Sequence, residues 1–321
     1  MSKIGTDLLV AKEFLQKSGV VAIPTETVYG LAANAFDEGA VVKVFRIKNR
    51  PKFDPLIVHT DSIEKISQFA ILENPQLIKL ANKFWPGPLT LLLPRKEIIP
   101  DLVTSGLPNI AVRIPNHPLT LALLSELNFP LAAPSANPFG YVSPTQAKHV
   151  AKQLGEKVNY ILDGGECNVG IESTIVGVEN GKPTIYRLGG LSVEEIENEV
   201  GKVNLQIKNS DNPKAPGQLT SHYAPGKPLY VGELDELISK HSSKRKAIVK
   251  YGTNETRKSE GDIEFQLSEK GDVNEAAKNL FRVLREIDET DVEIILAPVL
   301  PEIGLGKAIN DRLKRASVPN S

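Results

Sequence analysis

Residues 208–228, KNSDNPKAPGQLTSHYAPGKP, hold four prolines and two glycines and show no hydrophobic periodicity, so neither a helix nor a strand pattern runs through them. A break of that kind inside a 321-residue chain divides it into two folding units. This agrees with the tendency of single cores to stop growing near roughly 250 residues. The division is a first unit at 1–202, a connection at 203–228 and a small second unit at 229–321.

The two units differ in rhythm. In the first, Leu8, Ala11, Phe14 and Leu15 recur at near-helical spacing, Gly19 stops them, and a strand at 20–23 follows. Helices are expected over 39–48, 62–70 and 75–84, the last stopped by Trp85-Pro86-Gly87-Pro88. Short apolar runs at 56–59, 89–93, 110–114, 131–133, 158–162, 174–178 and 184–187 read as strands. This is a strand-rich α/β pattern without the regular alternation of a doubly wound fold. In the second unit, strands at 229–231, 247–251 and 292–296 alternate with helices at 233–240 and 274–287, which predicts a small parallel sheet. GKAINDRLKRAS, from Gly306 onward, reads as a closing helix.

Charge and cysteine content exclude several classes. Lys plus Arg number 38 against 39 Asp plus Glu, so no global basic field gathers nucleic acid. Cys167 is the single cysteine, which rules out an internal disulfide framework and any cysteine-cluster metal site. No apolar run approaches the roughly 18 residues of a membrane span, and the first residues alternate charged and apolar types. A cytoplasmic protein, neither exported nor membrane-spanning, is expected.

Five segments could carry chemistry. PTETVYG at 24–30 clusters three hydroxyls and a carboxylate after a strand; on these residues alone a capped helix start is the somewhat better reading. From Gly39 to Phe53 there are five cations and no acid, ordinarily a solvated face, but Pro51 ends the helix there and holds Lys48 and Arg50 on irregular backbone. Cations held in that way suit phosphate. Arg113 alternates with Ile110, Val112 and Ile114 onto the opposite face of a strand, and a charge there needs a partner, either a fixed Asp or Glu or a ligand carboxylate. APSANPFGYVSPT at 133–145 offers Ser135, Asn137 and Ser143 on proline-stiffened chain, or a plain Asn-Pro turn. In DGGECNVGIESTIV, glycines could bring Ser173 and Thr174 to a ligand or simply close a hairpin. No GxxxxGK[ST] or GxGxxG phosphate loop, no HExxH among the five histidines and no GxSxG elbow occurs.

Taken in order, PTETVYGLA, KNRPKFDPLIVH, WPGPLTLLL, AVRIP, LAAPSANPFGYVSPT and GIESTIV closely resemble the threonylcarbamoyl-adenylate synthase (YrdC-like) family over about residues 10–190. APGQLTSHYAP and the unit after it resemble the long, two-domain branch. The resemblance implies a twisted concave mixed sheet with a small Rossmann-like C-terminal domain. It also implies a reaction joining L-threonine, bicarbonate and ATP, with Mg2+ on the phosphates, to give threonylcarbamoyl-AMP for transfer RNA modification by a separate transferase. Lys48 and Arg50 are then the catalytic cations. ATP contacts fall to Lys48, Arg50, Asp54, Asn109, Ser135, Asn137, Ser143, Arg187 and Tyr223, and threonine contacts to Thr27, His59, Arg113, Ala133 and Ser173. Asp54 stands where the family often has Asn, and Asn109 where a hydroxyl residue is frequent. Residues 222–225 are expected to fold over the groove as a lid, so that a cut near 217 harms activity more than stability. The competing reading is an RNA-binding module using the 43–52 cations; the sequence leaves direct tRNA binding open.

Overall fold

In the computed structural model, residues 3–207, 215–217, 222–253 and 257–318 are described, so 208–214 and 218–221 of the connection lie outside the described residues. The first five strands are β1 (Lys3–Gly5), β2 (Val21–Ile23), β3 (Gly30–Asn34), β4 (Ile57–His59) and β5 (Leu89–Pro94). Then come β6 (Asn109–Arg113), β7 (Leu131–Ala132), β8 (Tyr160–Leu162), β9 (Thr174–Glu179), β10 (Lys182–Arg187) and β11 (Asn204–Leu205). They form one mixed sheet in the order β1-β8-β2-β3-β7-β4-β6-β5-β9-β10-β11. A second sheet holds β12 (Leu229–Val231), β13 (Lys246–Tyr251), β14 (Ile263–Ser268) and β15 (Ile294–Ala297) in the order β12-β15-β13-β14, with every pairing parallel.

Alternation along the central strands sorts side chains between the faces of the large sheet. Val58, Ile110, Val112 and Ile114 enter the main core, together with Leu77, Leu80 and Ala81 of the helix Pro75–Phe84. Asn74 caps that helix by accepting from the N–H groups of Gln76 and Leu77, and Pro75 occupies its first turn, where no N–H is needed. The opposite face carries a smaller apolar floor of Ile57, Leu92, Ala111, Ile175 and Tyr186, on which Ala215 of the connection packs.

The helix Glu38–Lys48 ends where Asn49 takes a left-handed conformation at φ 54°, two residues before Pro51. Asn tolerates that geometry better than a branched residue, and Pro51 cannot continue the helix. The chain therefore turns sharply between Lys48 and Arg50.

One hydrophobic core runs through both units: it includes Val28 and Tyr223 as well as Leu280, Phe281, Ile309 and Leu313. Sequence periodicity predicted the helices Glu38–Lys48, Pro75–Phe84, Val273–Asp288 and Gly306–Ala316. The helix expected over 62–70 is only Ile63–Ile66. Strands β1, β3, β11 and β14 and the helices Pro118–Ser125, Ala147–Leu154 and Val193–Val200 were not anticipated.

Candidate active site

A cavity lies on the apolar-floor side of the large sheet, and Ile57 and His59 of β4 both point into it because they are two residues apart on one strand. Arg113 joins them because β6 pairs in parallel with β4, placing Arg113 opposite His59. Ala133 and Ser135 follow β7, and Ser135 bridges to Gly30 at the start of β3. Thr25 and Thr27 enter from the loop between β2 and β3, while Ser173 and Arg187 come from the paired ends of β9 and β10. Arg50 completes the wall from the turn after the second helix, and Pro216, Gly217, His222 and Tyr223 of the connection line it as well.

Three arginines line this cavity, and each is fixed. Arg113 donates from Nε to the Gly87 carbonyl at 3.2 Å and from Nη1 to Thr27 Oγ1 at 2.7 Å, and its Nη2 pairs with Glu26 at 2.7 Å. The partner left open in the sequence is thus a protein carboxylate. Arg50 donates to the carbonyls of Asp54 at 3.0 Å and Pro55 at 2.8 Å and pairs with the Asp54 carboxylate. Arg187 clasps Ser173 through its carbonyl at 2.9 and 3.1 Å and through Oγ at 3.1 Å. Burial lowers the pKa of Arg50 and Arg187 and raises that of Asp54, the Coulomb effect of Asp54 and Arg50 on each other acting the opposite way.

His59 is buried and its Nδ1 has no hydrogen-bond partner among the described residues; burial first and Arg113 second push its pKa down to about 3, so the ring is neutral. Tyr223 is 2% exposed at φ 65°, a conformation that a bulky residue adopts only when its surroundings hold it there. Its ring stacks on Phe281 at 5.5 Å and 26°, and burial raises its pKa to about 12. Gly217 sits at φ 82°, where a Cβ would come within 3.0 Å of the Arg187 side chain.

Several residues expected at a ligand stand behind the wall instead. The Lys48 side chain is buried, with Nζ donating to the carbonyls of Ser135 and Asn137; burial and the nearby Arg50 hold its pKa well below the usual lysine value. Asn137 donates to the carbonyls of Pro138 and Tyr141, each at 2.8 Å. Ser143 donates to Glu172 at 2.6 Å, and Asp54 is turned to Arg50. Asn109 is not brought to the cavity. It is exposed at the far end of β6, four residues before Arg113 and so roughly 13 Å away along the strand, and it borders a separate depression with Leu77 and Leu93.

Of the five cations at 43–52, Lys48 and Arg50 are buried, Lys43 donates to the Ser18 carbonyl at 2.8 Å, and Arg46 and Lys52 are exposed. The run therefore presents no continuous basic surface. Sequence reasoning did not single out Glu172, which lines the cavity, or Arg312, which holds it from the second unit. A detectable signal for Arg312 was its place on the apolar face of its helix beside Ala308, Ile309 and Leu313.

A family model described as "Telomere recombination" matches residues 13–189, and one for the C-terminal domain of threonylcarbamoyl-AMP synthase matches 191–318. The threonylcarbamoyl-AMP synthase of Pyrococcus abyssi is 42% identical over 321 residues, covering 96% of this chain and 93% of that protein. The Bacillus subtilis threonylcarbamoyl-AMP synthase is 39% identical over 323 residues, covering 96% and 92%. The crystal structure of P. abyssi Sua5 complexed with L-threonine matches with a TM-score of 0.90 at 40% identity, covering 99% of this chain and 97% of that one. Escherichia coli YciO, at 22% identity and a TM-score of 0.52 over 59% of this chain, shares the fold of the first unit. Matched along both units by family models and relatives of the same architecture, the chain belongs to the two-domain threonylcarbamoyl-AMP synthase family.

Proposed function

We propose that the cavity joins L-threonine, bicarbonate and ATP into threonylcarbamoyl-AMP and diphosphate, the activated intermediate for threonylcarbamoyladenosine in tRNA. The carrying observation is the match along nearly the whole chain to a relative crystallised with L-threonine, at a TM-score of 0.90. As an enzyme it is a nucleotidyltransferase, because the carbamate takes the adenylyl group of ATP.

Threonine occupies the deep end, against Thr27, His59, Arg113, Ser173 and the chain at Ala133. ATP lies over it, against Arg50, Ser135, Arg187 and Tyr223, with Asn137 and Ser143 shaping the wall from behind. The neutral amine of threonine and bicarbonate give a carbamate with loss of water; the carbamate oxygen is already anionic, so its attack on the α-phosphorus, which expels diphosphate, needs no base. The neutral His59 fits that scheme. The protein's contribution is positioning and positive charge: Arg50 at the wall offsets the charge gathering on the α-phosphate and departing diphosphate, and Lys48 beneath it holds the chain at Ser135 and Asn137 in place.

Magnesium enters with ATP as part of the substrate. Among the described residues no group of three or more His, Cys, Asp or Glu could hold a metal, and Asp54 and Glu172 are committed to arginines. Mixed anhydrides hydrolyse readily, so the connection residues over the cavity would exclude water. No helix among the described residues is long and apolar enough to cross a membrane. A cytoplasmic setting fits a reaction fed by ATP, and transfer to tRNA falls to a separate transferase.

The assignment is tested by supplying carbon-labelled bicarbonate and labelled threonine with Mg·ATP. The expected product is a nucleotide containing both labels and retaining AMP. A labelled product without AMP, or none, would refute it.

A further inference from the structure

A buried charged side chain of the second unit bears on the cavity's electrostatics. Arg312, on the helix Gly306–Ala316, has a side chain only 1% exposed. Its Nε and Nη2 donate to Glu172 Oε2 at 3.2 and 3.1 Å, Nη1 donates to the Leu188 carbonyl at 2.6 Å, and the guanidinium lies 5.3 Å from the centre of the Tyr223 ring. Glu172 and Tyr223 both line the cavity.

Among the described residues, each buried carboxylate around the cavity is matched to an arginine. Glu26 pairs with Arg113 and Asp54 with Arg50, both within the first unit. Glu172 is different, since its arginine arrives from the second unit. Left bare, that carboxylate would stand in a poorly screened wall beside polyanionic phosphates and oppose their binding.

We infer that Arg312 is a positioning residue for the nucleotide: it fixes and neutralises Glu172 and braces Tyr223, so that ATP meets the charges of Arg50 and Arg187 without a free anion among them. The second unit thereby takes part in nucleotide binding through one ion pair. The inference rests on the placement of ATP in this cavity.

The test is equilibrium calorimetry of the full chain with Mg·ATP and, separately, L-threonine, for wild type, Arg312→Met, Glu172→Gln and the double variant. Arg312→Met is expected to weaken ATP roughly tenfold or more, since one uncompensated charge acts at short range. Glu172→Gln is expected to tighten ATP, a gain that a merely structural ion pair would not show, and the double variant to return within about threefold of wild type. Threonine affinity should stay within about twofold throughout. Wild-type ATP affinity in Arg312→Met, a double variant as weak as that single, or weaker ATP binding by Glu172→Gln would overturn the inference. Should Arg312→Met fail to fold, Glu172→Gln and the double variant still decide it. Diphosphate release by the wild type is measured alongside. The expected binding pattern without threonine-dependent release would sink the proposed reaction and leave the role of Arg312 standing; release without the pattern would do the reverse.

Discussion

Arg50 and Asp54 form an ion pair of 2.8 Å in the turn after the helix Glu38–Lys48, with side chains 5% and 0% exposed. Removing one partner of a dry pair strands the other charge, at a cost of about 3–5 kcal/mol, whereas removing both is far better tolerated. Arg50→Ala is therefore expected to lose stability and also to lose turnover by about a hundredfold or more, because it deletes a cation from the cavity wall. Arg50→Ala/Asp54→Ala should recover much of the stability and none of the turnover. Denaturant titration and steady-state diphosphate release separate the two effects; parallel recovery of both would mean that Arg50 only holds the turn.

Arg113 makes one contact through each guanidinium nitrogen, to the Gly87 carbonyl, Thr27 and Glu26, out of the five N–H donors the group carries. A lysine has one point charge in place of that planar fork. Arg113→Lys is expected to raise the KM for threonine tenfold or more while changing the KM for ATP by less than about threefold. Equal changes in both would place Arg113 outside the threonine end.

The buried histidines are expected to make stability fall in acid. Burial depresses the pKa of His59 to about 3 and holds that of His222 well below 6.5. In the unfolded chain both protonate near 6.5, so below that pH the unfolded state binds more protons than the folded one. Their contribution to stability is therefore complete above pH 6.5 and is lost as pH falls toward the folded values, by up to about 1.4 kcal/mol per pH unit for each. Thermal midpoints should fall between pH 7 and pH 5, and less steeply in His59→Gln. An identical slope in that variant would remove His59 from the explanation.

The shared core alters what truncation should do. A cut near 217 was expected to harm activity more than stability, yet removal of the following residues would take Tyr223, Phe281 and Leu313 out of one continuous core and uncover Leu188 and Glu172. A chain ending at 217 is expected to lose several degrees of thermal midpoint as well as its turnover. A truncated protein with an unchanged midpoint would show that the two units are independently stable.

Much of this was legible in the sequence. Strand alternation placed Arg113 opposite Ile110, Val112 and Ile114, and the Pro51 break fixed where Lys48 and Arg50 leave the helix. What alternation could not supply was distance across the fold. The carboxylate that pairs with Arg113 is Glu26, 87 positions earlier in the chain, and the partner of Glu172 comes from a helix of the other unit, a pairing that only the packing of the two units creates. Burial was equally hidden: Lys48 reads as a phosphate-facing cation, and its Nζ is occupied by two carbonyls. Strands of two or three residues, such as β1 and β11, are too short to show a period.

The most direct test of the central claim is diphosphate release by the purified full-length chain from Mg·ATP, with threonine and bicarbonate each supplied or withheld and serine run beside threonine. Release that requires both co-substrates and favours threonine is the predicted result. Release that is indifferent to threonine, or absent with all three substrates present, would contradict it.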